Sequence, residues 1–593
     1  MLLRLSLLFQ LWVSVPNIFG AHALQPRQTC GCNGTSTLSD PRIDIKQGPI
    51  VGYTGCVDDV PISYFLGIPY AQPPTGSRRF AKPVPMSEDN PVIHAKAFGH
   101  ICWQIASSTY PLERMDENCL TINIMAPADA QHRDKKLPVM FWHHGGGFTT
   151  GASTYHNGSR LVAESVKLGA PAIWVNFNYR INAFGFLSSR QMLEAAQAGE
   201  AALNVGLYDA REALRWVQQN IHRFGGDPKR SAGAYAVGAQ LLANGGDSEG
   251  LFQSAIMHSG SPAGGTALTP AHPRLQATFA NLTAMVNCPN DETSVQCLRQ
   301  IDQVILANAS AIIAQNYSSN PYLGYWPWTP VQDAAVDGFW FREQPSKLVN
   351  KGQYAVVPMI TGDCADEGTI FAAHDLENAT SFDQWFRHIA VADVSTDPDQ
   401  QSRVTGLLQR LYELVPDDVT QGSPYFNPPN AVSKGVTNVS DPIFQPATNQ
   451  YKRAARMFST WRYEAPRRKF LRLFANQTKS GAWTYRFHQH DNSNAIVGTS
   501  HGSEIVYILG NTSTINSTGL YPPLSKLMQR AWISFANFND PTALGHLDWP
   551  RYSEEERSMI QFKGLNVTLI RDDYQEGALA YMRSDEMSAI LSS

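Results

Sequence analysis

After its first 23 residues the chain has no apolar run approaching the roughly 18 residues of a membrane-spanning helix. The tail beyond Tyr581 is short and polar, unlike a lipid-anchor signal. No stable membrane anchor is expected. Charge of one sign is also missing: 47 Lys and Arg stand against 51 Asp and Glu, a net −4. Such a balance gives no basic field for nucleic acid or an anionic surface. There is no internal repeat, long low-complexity tract or interdomain linker, which excludes solenoids and arrays.

What is present is material for one large core. Of 593 residues 43% are hydrophobic and 17% charged, within the globular range. The N-terminus reads as a signal peptide over residues 1–23. Arg4 precedes the apolar run Leu5 to Val15, and Ala21-His22-Ala23 is a small-x-small cleavage site. Residues 24–593 are then one domain. Passage through the secretory route makes two other features coherent. Eleven Asn-x-Ser/Thr sequons occur, at Asn33, Asn157, Asn281, Asn308, Asn316, Asn378, Asn438, Asn476, Asn511, Asn516 and Asn566. Eight cysteines can form disulfides in that compartment.

Short apolar runs alternate with helical spacing. Leu137–Trp142, Ala170–Asn178, Phe252–His258, Val356–Thr361 and Ala482–His488 are strand candidates. Asp209–Phe224 has Ala213, Leu214, Val217 and Ile221 at helical spacing and stops at Gly225-Gly226. Ala234–Ala243 is also compatible with a helix. Apolar strands separated by helices indicate a sheet buried on both faces, hence an α/β fold. Pro321–Pro330 and Pro416–Asp441, rich in Pro, Asn and Gly, read as loops.

Four segments carry candidate chemistry, each weak alone. His143-His144-Gly145-Gly146-Gly147-Phe148 follows an apolar strand. Glycine-rich backbone there either makes a plain turn or aims N–H groups at a developing oxyanion, where each donor contributes about 3 kcal/mol. A phosphate loop is disfavoured, since no Gly-Lys-Ser/Thr follows. Ser231-Ala232-Gly233 precedes the helix candidate, where an elbow would expose the hydroxyl. Asp366-Glu367-Gly368-Thr369 offers a carboxylate, or simply a solvated turn. Gly498 to Glu504 places His501 in a glycine-flanked loop. Together the order Ser, acid, His is that of α/β-hydrolases.

With those segments in view, the sequence resembles a fungal-type member of the type-B carboxylesterase/lipase family, the group that includes cholinesterases. The resemblance covers nearly the whole mature chain. It is carried by Phe65-Leu66-Gly67-Ile68-Pro69-Tyr70-Ala71-Gln72-Pro73-Pro74 with Arg79-Phe80, by Glu117-Asn118-Cys119-Leu120, and by Phe224-Gly225-Gly226-Asp227-Pro228. It implies the α/β-hydrolase fold: a large, mostly parallel central sheet with helices on both faces and a small N-terminal sheet. It further implies Ser231 as nucleophile, Glu367 as acid, His501 as base, and oxyanion donors from Gly146, Gly147 and Ala232. The implied disulfides are Cys102–Cys119 and Cys288–Cys297; the pairing of Cys30, Cys32, Cys56 and Cys364 stays open. The implied reaction is hydrolysis of a small-molecule carboxylic ester through an acyl-enzyme, with no cofactor or metal.

One departure stands out. The family places a strand ending in Gly-x-Ser-x-Gly after the Gly-Gly-Asp-Pro segment. Here Pro228-Lys229-Arg230 runs straight into Ser231, about six residues short, or roughly 20 Å of extended chain. Lys229 stands where the elbow needs glycine. Two readings compete: a working form carries the missing strand, or the gap is real and the product is impaired or a non-catalytic binding protein. The Cys102–Cys119 loop encloses only sixteen residues, with Trp103 its only tryptophan. A long lipase lid is therefore absent, and a choline-binding aromatic site is not expected. An ester or lactone of a small secondary metabolite is a narrower substrate reading.

Overall fold

The computed structural model describes residues 40–591 except 229–234, 266, 320–326, 374, 392–396, 417–422, 424–449, 490–496, 512–521 and 565–566. The signal segment, Ser231, Ala232, Cys30, Cys32, Asn33, Asn438, Asn516 and Asn566 lie outside the described residues, as does most of both loop candidates.

Thirteen strands form three sheets among the described residues. A small N-terminal sheet joins β1 (Arg42–Ile45), β2 (Gly48–Val51) and β5 (Ile93–His94). The second sheet runs β3 (Tyr53–Val57), β4 (Val60–Pro69), β6 (Thr121–Pro127), β8 (Ile173–Phe177), β7 (Val139–Trp142). The third runs β9 (Ala255–His258), β10 (Met359–Cys364), β11 (Ala482–Phe487), β12 (Ser558–Phe562), β13 (Thr568–Arg571). In the two large sheets β8–β7 and β9–β10–β11–β12 are parallel, while β3–β4–β6–β8 and β12–β13 are antiparallel; in the small sheet β1–β2 is antiparallel and β2–β5 parallel.

Alternation along the strands feeds three apolar clusters. In β7, Val139 and Phe141 enter one apolar cluster with Leu207, Trp216 and Phe224, while Met140 and Trp142 enter another with Leu161, Trp174 and Ile533. In β11, Trp483, Tyr485 and Phe487 pack with Trp532 and Trp549, while Ala482 faces the other way. A strand buried on both faces has little use for polar residues, which is why β6, β7 and β8 read as near-continuous apolar runs. Helices Ser159–Lys167 and Pro522–Phe538 cover one face, and Val205–Asn220 covers the other.

Four of the five strand candidates are found within their expected ranges. Val356–Thr361 is displaced, the strand being Met359–Cys364. The helix candidate 209–224 begins earlier, at Val205, and ends in a 3-10 turn, Ile221–Phe224.

The family's nucleophile strand would lie between β7 and β9, the inner ends of the two large sheets. Leu137 N–H donates to Gly225 O at 2.9 Å and Asp227 N–H to Leu137 O at 2.7 Å, a parallel bridge beside β7. The described chain then stops at Pro228 and resumes as helix Tyr235–Leu242, which packs near β9. No strand separates β7 from β9 among the described residues. The two strand ends are level: the rings of Trp142 and His258 are 5.7 Å apart.

Beneath β10 and β11 runs a buried ionic network. Arg467 donates to Asp363 (2.5 Å), Thr484 (2.9 Å) and both oxygens of Asp572 (3.0 and 2.9 Å), and Arg468 also reaches Asp572 at 2.9 Å. Arg467 and Asp572 are fully buried. Replacing one partner leaves an uncompensated buried charge. R467M is expected to lower unfolding free energy by about 3–5 kcal/mol, through stranded Asp363. Urea unfolding followed by tryptophan fluorescence checks this; a loss near zero contradicts it.

Candidate active site

The candidate acid Glu367 and candidate base His501 meet at the carboxyl ends of the parallel strands, where ligands of open α/β sheets bind. β10 ends at Cys364, and the turn beyond it carries Asp366 and Glu367. Glu367 is fully buried, and its Oε2 lies 2.6 Å from His501 Nδ1. Its other oxygen accepts from Cys364 N–H at 2.6 Å and from Ser259 Oγ–H at 2.5 Å. Asp366, the neighbouring candidate carboxylate, is committed elsewhere. It accepts from Thr499 N–H at 3.0 Å and Ser423 Oγ–H at 2.7 Å, and its own N–H donates to Thr499 O. These bonds tie the acid turn to the His501 loop. Gly368 is required by close packing: a Cβ there would meet Ala455 O at 2.0 Å.

His501 is held face-on by Tyr463, with ring centroids 4.9 Å apart, and edge-on by Phe371 at 5.5 Å. About a third of its side chain, 34%, stays exposed. Burial works against its protonation. The Glu367 charge and hydrogen bond, with Glu504 and Asp363 behind them, outweigh that and raise its pKa above the usual 6.5.

A second carboxyl group backs the pair. Glu504 is fully buried and accepts from Cys364 Sγ at 2.9 Å and, weakly, from Tyr485 OH at 3.4 Å. Burial and the nearby Glu367 charge raise its pKa. Trp532 Nε1–H donates to His258 Nε2 at 3.3 Å, so His258 Nδ1 carries the proton and donates to Tyr485 OH at 2.8 Å. Burial holds the His258 pKa down to about 3, so this imidazole is neutral.

The glycine loop follows β7. Gly146 and Gly147 have φ of +120° and +60°, and a Cβ on Gly146 would meet Thr150 O at 2.0 Å. Gly145, Gly146 and Gly147 are exposed, and no hydrogen bond from the N–H of Gly146 or Gly147 occurs among the described residues. The loop's far end is pinned by Gln104, whose side chain exchanges hydrogen bonds with Gly151 at 2.8 and 2.9 Å. Asn182 holds it at Thr149 O (2.8 Å) and Phe148 O (2.8 Å). Burial lowers the His144 pKa to about 3, so the loop relies on dipoles rather than a cation.

The structure therefore brings Glu367 and His501 together and leaves the Gly146–Gly147 donors open; Ser231 and Ala232 are outside the described residues. Cys102–Cys119 and Cys288–Cys297 are both formed. Cys56 is disulfide-bonded and Cys364 is a buried free thiol. Among the described residues no group of His, Cys, Asp or Glu is arranged to hold a metal, and no helix is long and apolar enough to cross a membrane. Trp103 is buried and donates Nε1–H to Gln303 at 3.0 Å, so it offers no open face to a cation.

Sequence reasoning missed Ser259, Gln104 and Asn182. Ser259 had one signal, a serine directly after a strand candidate; its φ of +55° turns the hydroxyl onto Glu367. In an NMR pH titration His501 is expected to titrate above 6.5. E367Q removes the main raising cause and should move the midpoint downward. Because the folded imidazole binds its proton more tightly, this stabilisation is full below about pH 6.5 and fades as pH rises through the higher folded value. A midpoint unmoved by E367Q contradicts this reading of the pair.

The carboxylesterase family model matches residues 39–581. Lipase 1 of Geotrichum candidum is 30% identical, aligned over 88% of this chain and 92% of its own length. Secreted lipase 1 of Botryotinia fuckeliana (strain B05.10) is 30% identical over 88% and 87% of the two chains. Among solved structures, Aspergillus niger EstA superposes with a TM-score of 0.72, at 21% identity, covering 92% of this chain and 99% of its own. With the family model matched over nearly all of the described chain and the fold shared with solved esterases, the chain belongs to the carboxylesterase family of carboxylic ester hydrolases.

Proposed function

We propose that this protein is a secreted, glycosylated, soluble esterase in which Ser231 is the nucleophile, His501 the base and Glu367 the acid. The observation that carries the reading is the 2.6 Å bond from His501 Nδ1 to a buried carboxylate that two further donors hold in place. In this scheme the imidazole takes the Ser231 proton as the hydroxyl attacks an ester carbonyl. Gly146, Gly147 and Ala232 N–H groups stabilise the tetrahedral oxygen. The acyl-enzyme forms, the alcohol leaves with the proton from His501, and water reverses the sequence. Glu367 fixes the imidazole tautomer and stabilises its charged form. The substrate is a small carboxylic ester, a secondary-metabolite ester being the narrower case. Residues 1–23 act as the export signal.

The same site also bears on rate. Pro228-Lys229-Arg230 stands directly before Ser231, where an elbow serine follows a strand and a glycine two residues earlier. We expect the chain as written to turn over a short-chain aryl ester at least tenfold more slowly than a form with the six-residue strand restored before Ser231, since an ångström-scale misplacement costs about 10²-fold. Equal turnover would remove the elbow from the account. A serine-reactive organophosphate that labels Ser231 supports the enzyme. Folded protein left unlabelled in both forms supports the non-catalytic alternative.

The disulfide loop between Cys102 and Cys119 is short, and its tryptophan is buried. No rate jump is expected when tributyrin passes its solubility limit; a sharp rise at the emulsion would assign lipase action instead.

A further inference from the structure

Helix Gln303–Ser319 is seventeen residues long and contains no Lys, Arg, Asp or Glu. Its inner face is conventional: Leu306, Ala307, Ala309, Ser310, Ile313 and Ala314 are buried. Its outer face is not, because Ile305 is 55% and Ile312 46% exposed. A surface helix normally carries charge there. Contiguous exposed aliphatics usually mark something that covers them.

The register of the helix says what does. Ile305, Asn308, Ile312 and Asn316 are spaced by three, four and four residues, so they form one stripe along the outer face. Asn308 and Asn316 are both exposed, and each opens a sequon, Asn308-Ala309-Ser310 and Asn316-Tyr317-Ser318. The pattern recurs on the neighbouring helix Pro273–Met285, which packs against this one. There Asn281 is exposed, opens Asn281-Leu282-Thr283, and precedes Met285, 41% exposed, by one turn.

We propose that N-glycans on Asn308 and Asn316 are the cover of this apolar stripe, with a glycan on Asn281 extending it over the adjoining helix. A glycan is bulky and strongly hydrated. Its sugar rings also present C–H faces that lie against aliphatic side chains. Attached one turn from each isoleucine, it supplies the solubility that the missing charges do not. The inference rests on passage through the secretory route and is independent of catalysis at Ser231.

The test uses the full chain made in a eukaryotic secretory host. Glycopeptide mass mapping is expected to find Asn308 and Asn316 occupied. N308Q/N316Q is expected to bind a hydrophobic-interaction resin more tightly than wild type and to self-associate in sedimentation, whereas N157Q/N476Q, which removes two glycans elsewhere, does neither. Adding I305K and I312K to N308Q/N316Q should restore the wild-type behaviour, which separates lost cover from damaged folding. The proposal is overturned if Asn308 and Asn316 are bare while Asn157 and Asn476 carry sugar, if the two double variants behave alike, or if the glycosylated wild type already dimerises through this face. Sugar missing from every sequon would sink the secretory reading along with it.

Discussion

The site depends on a single buried anion. Glu367 has no contact with water, so its charge must be satisfied by donors fixed within hydrogen-bond range. Three donors meet it: the Cys364 N–H at the end of β10, the Ser259 hydroxyl at the end of β9, and His501 from the loop after β11. One carboxylate therefore ties together three consecutive pieces of the third sheet. Losing any one donor leaves part of the desolvation of that carboxylate uncompensated.

A second carboxyl group and several neutral donors surround that anion. Glu504 lies close enough to feel the Glu367 charge, which together with burial raises its pKa. Its neighbours Cys364 and Tyr485 are neutral donors, and His258, two links away, is neutral as well. Countercharge is spent instead on the Arg467–Asp363–Asp572 network beneath, which braces the strand that delivers Glu367. The polar interior thus separates into a charged brace and a mostly neutral cradle around one ion pair.

Much of this was legible in the sequence. Runs such as Ile173–Phe177 and Ala482–Phe487 are apolar because both their faces are covered, and that pattern survives in one dimension. The chain order of Glu367 and His501, and the glycines of the loop after β7, could likewise be read as motifs. The choice of Glu367 over Asp366 came from family resemblance; its physical basis is that Thr499 and Ser423 already occupy Asp366. Gln104 and Asn182 carry no local signature, because they act on residues 47 and 33 positions away through space. The small β1–β2–β5 sheet was expected only from the family resemblance; it is held by register rather than by a long apolar run, so the residues alone gave no sign of it.

The split between the two large sheets has a further consequence. The imidazole and its carboxylate belong wholly to the sheet that starts with β9, and the glycine loop belongs wholly to the one that ends with β7. Within either sheet, ladder hydrogen bonds set relative positions. Across the seam, among the described residues, no ladder runs, and the tie at the strand ends is a face of Trp142 tilted against His258. Among the described residues, the spacing between His501 and the Gly146–Gly147 loop is therefore held by packing across this seam, with no shared ladder to fix it.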